Sequence, residues 1–182
     1  MALSIETQED SSDGVSEGAE SSLLEAVSLM DAGEHEIVLE ESGEHIRAAS
    51  IRALVVLSTH SHKSDMNVRS VLLLTYRKFM TPWQLLQKMI HRFLVPIPAS
   101  VDRSSHAGVH FQKMHMAPIQ IKVLGFFKLW LEDHTYDFIG NHALVNGLKQ
   151  FLDYIDIFPE CTGSWSSKPS RHLLNILKRL PS

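Results

Sequence analysis

Four sets of side chains in this sequence could do chemistry if the fold brought them together. His106, His110 and His115 have an H-x3-H-x4-H spacing, which on a helix could begin a metal site. Gly108 lies between the first two and argues against a stable helix there, and no Cys or carboxylate is spaced to complete a coordination shell. His60 and His62, in the polar stretch HSHKSDMN, have no third ligand nearby and read as a solvated loop. Glu132, Asp133 and Asp137 could be taken for paired acid–base carboxylates. No base, nucleophile or substrate-cradling loop converges on them by spacing, so surface and turn roles are expected. Cys161 is the only cysteine and has no adjacent base to activate it. No P-loop, G-x-G-x-x-G, HExxH, GxSxG or zinc-finger spacing occurs. The residues therefore assign no catalytic, cofactor-binding or metal-binding position, and no cofactor is expected.

Composition sets the context for these groups. The 182 residues suit one domain with tails, and the apolar content is enough for one sizeable core. No apolar run is long enough for an integral membrane segment, which needs about 20 residues. The N-terminus MALSIETQEDSSDG lacks the basic start and apolar stretch of a secretory signal. With a single cysteine no internal disulfide can form, and a cytoplasmic location is expected. The net charge of −4 conceals a split: residues 1–46 carry 13 of the 21 acids and no Lys or Arg. The rest carries 8 acids against all 17 bases, scattered singly, so no nucleic-acid partner is expected.

The elements that must position the side chains follow from periodicity. Residues 1–34 read as an acidic, mostly disordered tail, in which Leu23, Leu24, Val27 and Met30 could form a short docking helix. Residues 35–182 read as one helical domain. A small hairpin is expected from Glu36–Glu40 and Glu44–Ala48 around Glu41-Ser42-Gly43. A helix over Ala49–Thr59 follows, with Ile51, Leu54, Val55 and Ser58 inward. Asp65 is the expected cap of the next helix. In that helix Val68, Val71, Leu72, Thr75 and Phe79 share one face, with Arg69, Arg77 and Lys78 elsewhere on its surface. Thr81-Pro82 opens another, whose stripe is Leu85, Leu86, Met89, Ile90 and Phe93. From Val95 to Met116 no period is seen, and a long loop is expected. Pro118 opens a helix apolar nearly all round, which should be central. Asn141 caps a helix with the stripe Leu144, Leu148, Phe151, Leu152 and Ile155. Ser170 is the expected cap of a last one, with Leu173, Leu174, Leu177 and Leu180 inward.

Two blocks carry a family resemblance. LLLTYRKFMTPWQLLQKMIHRF, with Leu73-Leu74-Thr75-Tyr76-Arg77, Phe79, Thr81-Pro82, Leu85-Leu86 and Arg92-Phe93, resembles the N-terminal module of Ras-family guanine-nucleotide exchange factors, the Ras exchanger motif. PIQIKVLGFFKLWLEDHTYDF is similar to that family's later signature. The resemblance covers roughly residues 36–160 and implies an all-α fold: an irregular helical bundle of about six helices with a small N-terminal β-hairpin. It marks Leu74, Tyr76, Phe79, Pro82, Leu86, Phe93, Leu124, Trp130, Leu131, Tyr136 and Phe138 as the core of the family motif. It also implies a non-catalytic regulatory module, with no enzyme activity of its own. Such a module packs on the helical hairpin of a catalytic exchange domain, in cis or in trans, and in some members adds to a regulatory site for a Ras-type GTPase. Recruitment to the inner membrane surface would then be through partners. The catalytic domain would begin where this sequence stops at Ser182, so exchange by this chain alone is not expected. An apolar strip awaiting a partner is expected to include Leu173, Leu177 and Leu180. A stand-alone helical adaptor is the alternative reading.

Overall fold

A computed structural model describes residues 36–39, 46–60, 66–94, 101–158 and 167–180. The possible docking helix in the tail, the hairpin turn at 41–43, the Asp65 cap and Cys161 lie outside these residues. Strands β1 (Ile37–Leu39) and β2 (Ile46–Ala49) pair antiparallel, with Ile37 opposite Ala49, Val38 opposite Ala48, and an irregularity between Val38 and Leu39. Seven α-helices follow among the described residues: α1 (Ile51–Ser58), α2 (Met66–Thr75), α3 (Pro82–Phe93), α4 (His106–Phe111), α5 (Ala117–Asp133), α6 (His142–Ile157) and α7 (Ser167–Leu177). A π-turn over Gln112–Met116 makes α4 and α5 one continuous run, so the helical bodies number six. The fold is all-α with an N-terminal hairpin, as expected.

Local chemistry accounts for the joints. Ser50 caps α1 by accepting the Ala53 amide at 3.0 Å, and it is tied to the hairpin through the Glu36 carboxylate, which also holds Arg52. Thr81 and Gln84 form a reciprocal capping box ahead of Pro82, satisfying two amides that the first turn of α3 would leave bare. Asn141 caps α6, accepting the Leu144 amide at 3.2 Å. Ser170 does not cap the last helix. It lies buried inside α7, which starts three residues earlier with Pro169 accommodated in its first turn.

The core is organised on α5, as its all-round apolar sequence requires. Val123, Leu124, Phe126, Phe127, Trp130 and Leu131 are buried, against α3 on one side and α7 on another. α6 packs on both α3 and α7, and Phe151 stands edge-on to Phe93 at 5.0 Å and to Phe127 at 5.8 Å. Each such side chain contributes roughly 1.5–3 kcal/mol by leaving water. The stripes expected for α3 and α6 are the buried ones, with Ile90 partly covered. In α1 the buried set shifts to Ala53, Val55, Val56 and Ser58, while Ile51 and Leu54 pack at its edge.

Two further expectations fail. The face of α2 that turns inward is Arg69, Leu72 and Leu73, continued by Tyr76 just past its end, while Val71 is 56% and Leu74 70% exposed. The run VLLL offers apolar residues to both sides, so periodicity could not choose between them. The residues 101–116 are not a loop. Val101 is buried, Asp102 to Ser105 form a cap, and the chain is helical from His106. Gly108 is required there: a Cβ would sit 2.2 Å from the Asp102 carbonyl oxygen, so its missing side chain admits the incoming backbone. The π-turn precedes Pro118, whose ring would clash with the carbonyl four residues back in a regular helix.

Candidate functional site

The two motif blocks meet at one buried carboxylate. After Tyr76 the helix α2 tightens into a 3-10 turn (Tyr76–Lys78), and α5 is followed by another (Thr135–Asp137). These short turns bring Tyr76 and Arg77 against Trp130 and Asp137. Asp137 is 3% exposed and accepts hydrogen bonds from the Tyr76 hydroxyl, from the Trp130 indole N–H at 2.6 Å and from the Arg77 guanidinium. A carboxylate out of water needs such a complete set of donors, one of them cationic. Burial raises the Tyr76 pKa above its ordinary value of 10.0, opposed by the neighbouring Arg77.

Aromatic packing closes the clasp. The Trp130 ring is edge-on to Tyr76 at 5.8 Å and to Phe138 at 5.2 Å. On the outer side the Arg77 guanidinium lies 5.1 Å above the Tyr136 ring, and the Tyr136 hydroxyl hydrogen-bonds His134 Nδ1 at 2.8 Å. Among the described residues the carboxylate faces donors alone, so what the arrangement does is lock the end of α2 to the end of α5. The sequence reading gave Asp137 a surface or turn role and missed this. The signal that could have found it is Tyr, Arg and Trp with polar ends in two apolar blocks, each needing a buried acceptor.

Of the motif residues, Tyr76, Leu86, Phe93, Leu124, Trp130, Leu131 and Phe138 are buried together and Pro82 starts α3 half-buried. Leu74, Phe79 and Tyr136 are on the surface instead. Leu173 and Leu177, expected to await a partner, are buried in this chain's own core at 2% and 7% exposure, and Leu180 packs half-buried against it. The reason is that α7 lays its apolar stripe on α5 and α6. Apolar side chains that do face outward include Val71 and Leu74 on α2, and Tyr154, Ile157 and Phe158 at the end of α6. Arg69, expected at the surface, is buried with a guanidinium nitrogen 3.6 Å from where a Cβ on Gly125 would stand; burial lowers its pKa. His106 and His110 lie on one exposed helix face, while His115 leans on Phe111 at 5.4 Å. Among the described residues no group of three or more His, Cys, Asp or Glu could hold a metal ion, and no helix is long and apolar enough to cross a membrane.

A helical module with its two signature blocks clasped around one acid is the class of protein these observations define. Residues 45–151 match the RasGEF N-terminal motif, and the chain belongs to that family. It is similar to Ras guanine nucleotide exchange factor J of Dictyostelium discoideum, 29% identical over 142 residues, which are 78% of this chain and 16% of that protein. Exchange factor I of the same organism is 34% identical over 113 residues, 61% of this chain and 12% of that protein. The son of sevenless protein of Drosophila melanogaster is 28% identical over 152 residues, 69% of this chain and 10% of that protein. The chain thus spans 10–16% of the length of these three relatives.

Proposed function

We propose that this chain is a non-catalytic regulatory module of nucleotide exchange on Ras-type small GTPases. It acts by packing helices against a catalytic exchange domain, in cis or in trans, and has no enzyme activity of its own. Residues 35–182 are the module and residues 1–34 an acidic tail. The partners are that exchange domain and, through it, a Ras-type GTPase, in the cytoplasm or at the inner membrane surface when partners recruit it. The observation that carries the reading is the family match over residues 45–151, which spans both signature blocks. The Asp137 clasp supports it by giving those blocks a physical role: it holds α2 and α5 rigid, and a module that stabilises another domain must be rigid itself. With Leu173 and Leu177 buried, the outward residues Val71 and Leu74 of α2 are the better candidates for the contact.

The test is nucleotide release from a Ras-type GTPase, measured with this chain alone, with a separately expressed catalytic exchange domain, and with both. No release by the chain alone and faster release with both is expected. Slower release with both would make the module an inhibitor competing for the exchange domain. No change in rate and no complex between the two would sink the reading and leave the family membership as a statement of fold.

A further inference from the structure

Two grounds counted against the histidines, Gly108 and the want of a Cys or carboxylate to complete a shell, and the structure removes the first for two of the three. Gly108 sits within a helix, where the Asp102 carbonyl occupies the space its Cβ would take, and the helix runs on through the π-turn to Asp133. His106 and His110 are therefore four apart on one face. Both are exposed, their ring planes differ by 20°, and their centroids are 6.5 Å apart. Paired histidines at this helical spacing can ligate one ion, because both imidazoles project to the same side of consecutive turns.

The start of this helix is also held in place. The Ser105 hydroxyl accepts the Gly108 amide at 3.0 Å and donates to the Asp102 carbonyl at 2.7 Å. Asp102 in turn accepts from the Ser104 amide at 2.8 Å and its hydroxyl at 2.7 Å. Phe111 on the opposite side is buried. The backbone beneath the two rings is thus fixed by a cap at one end and by the core along its length. Two imidazoles on one tetrahedral ion, at about 2.0–2.1 Å per bond, would have centroids roughly 5 Å apart. The rings need close by only about an ångström and a half, which side-chain rotation at an exposed site allows.

We propose that His106 and His110 form a two-histidine clamp for a divalent transition metal ion that favours imidazole, such as Zn2+ or Ni2+, with its other coordination positions open to water. Neutral imidazole is a borderline ligand that suits these ions and not Mg2+ or Ca2+. The clamp stands apart from the Asp137 clasp and does not depend on the proposed role in exchange.

The experiment is a calorimetric titration of the metal-free full chain with Zn2+ and, separately, Ni2+, compared with the variants His106→Ala, His110→Ala, His115→Ala and His142→Ala. One saturable site is expected in the wild type, weakened at least about tenfold by either of the first two changes and unaffected by the last two. Both clamp residues are exposed, so the metal-free melting temperature of His106→Ala and His110→Ala should match that of the wild type. The idea is overturned by any of three results: no saturable binding, wild-type affinity in His106→Ala and His110→Ala, or equal dependence on His115.

Discussion

Replacing Asp137 by alanine tests whether the clasp holds the module together. The change removes a carboxylate that is 3% exposed and leaves the Tyr76 hydroxyl and the Trp130 indole N–H buried without an acceptor. Each stranded donor costs about 1–3 kcal/mol. Arg77 is half-exposed and can return to water, so its lost ion pair adds only about 0–1 kcal/mol. These terms add to about 2–7 kcal/mol, and the middle of that span, about 3–5 kcal/mol, is expected. For a chain of this size that lowers the melting temperature by roughly 6–20 °C, at about 2–4 °C per kcal/mol. Urea unfolding followed by far-ultraviolet circular dichroism would read the change directly. Tyr76→Phe and Arg77→Ala give the control ordering. The phenylalanine removes a donor while leaving the acceptor with two others, for about 0.5–1.5 kcal/mol, whereas Arg77→Ala leaves the buried carboxylate without its cation and should fall between that and Asp137→Ala. If Asp137→Ala costs under about 1 kcal/mol, or less than Arg77→Ala, the carboxylate is not the tie between the two blocks and the reasoning fails.

Gly108→Ala drives a methyl group to 2.2 Å from a backbone carbonyl, which cannot swing aside, and should cost about 1–3 kcal/mol in thermal unfolding. Gly147→Ala meets the ring of Trp83 at 2.5 Å, but that ring is 44% exposed and can rotate outward, so a smaller loss and an altered tryptophan emission are expected. Thr81→Ala removes the capping box of α3 and should lower stability by about 0.5–2 kcal/mol in urea titrations. Because burial holds the folded Tyr76 pKa above 10.0, the unfolded chain ionises this group first. Stability linked to Tyr76 is then intact below pH 10 and declines as pH rises beyond it, and Tyr76→Phe should flatten that decline in unfolding curves taken across alkaline pH.

Much of the helical architecture was legible because periodicity and caps are local. The Thr81-Pro82 start of α3, the Asn141 cap and the buried stripes of α3 and α6 follow from spacing that any helix must obey. The central place of α5 follows from its lack of a polar face. The motif blocks added the family, since they keep residue types that spacing alone would not demand. Decisions that required the tertiary structure were those in which two local answers were equal or a local rule was overruled. α2 has apolar residues on both sides, and its inward face is the one that lets the Tyr76 hydroxyl reach Asp137. Gly108 weakens a helix taken alone, yet here it is the residue that lets the Asp102 backbone pack against that helix. Asp137 lies in a polar run after a helix, with nothing nearby in sequence to say that Tyr76 and Arg77, some sixty residues earlier, would arrive as donors. The sequence by itself determined all but one of the described helices, and their kinship. Only the tertiary structure decided which faces meet, because a buried polar group chooses its surroundings by the partners that can satisfy it.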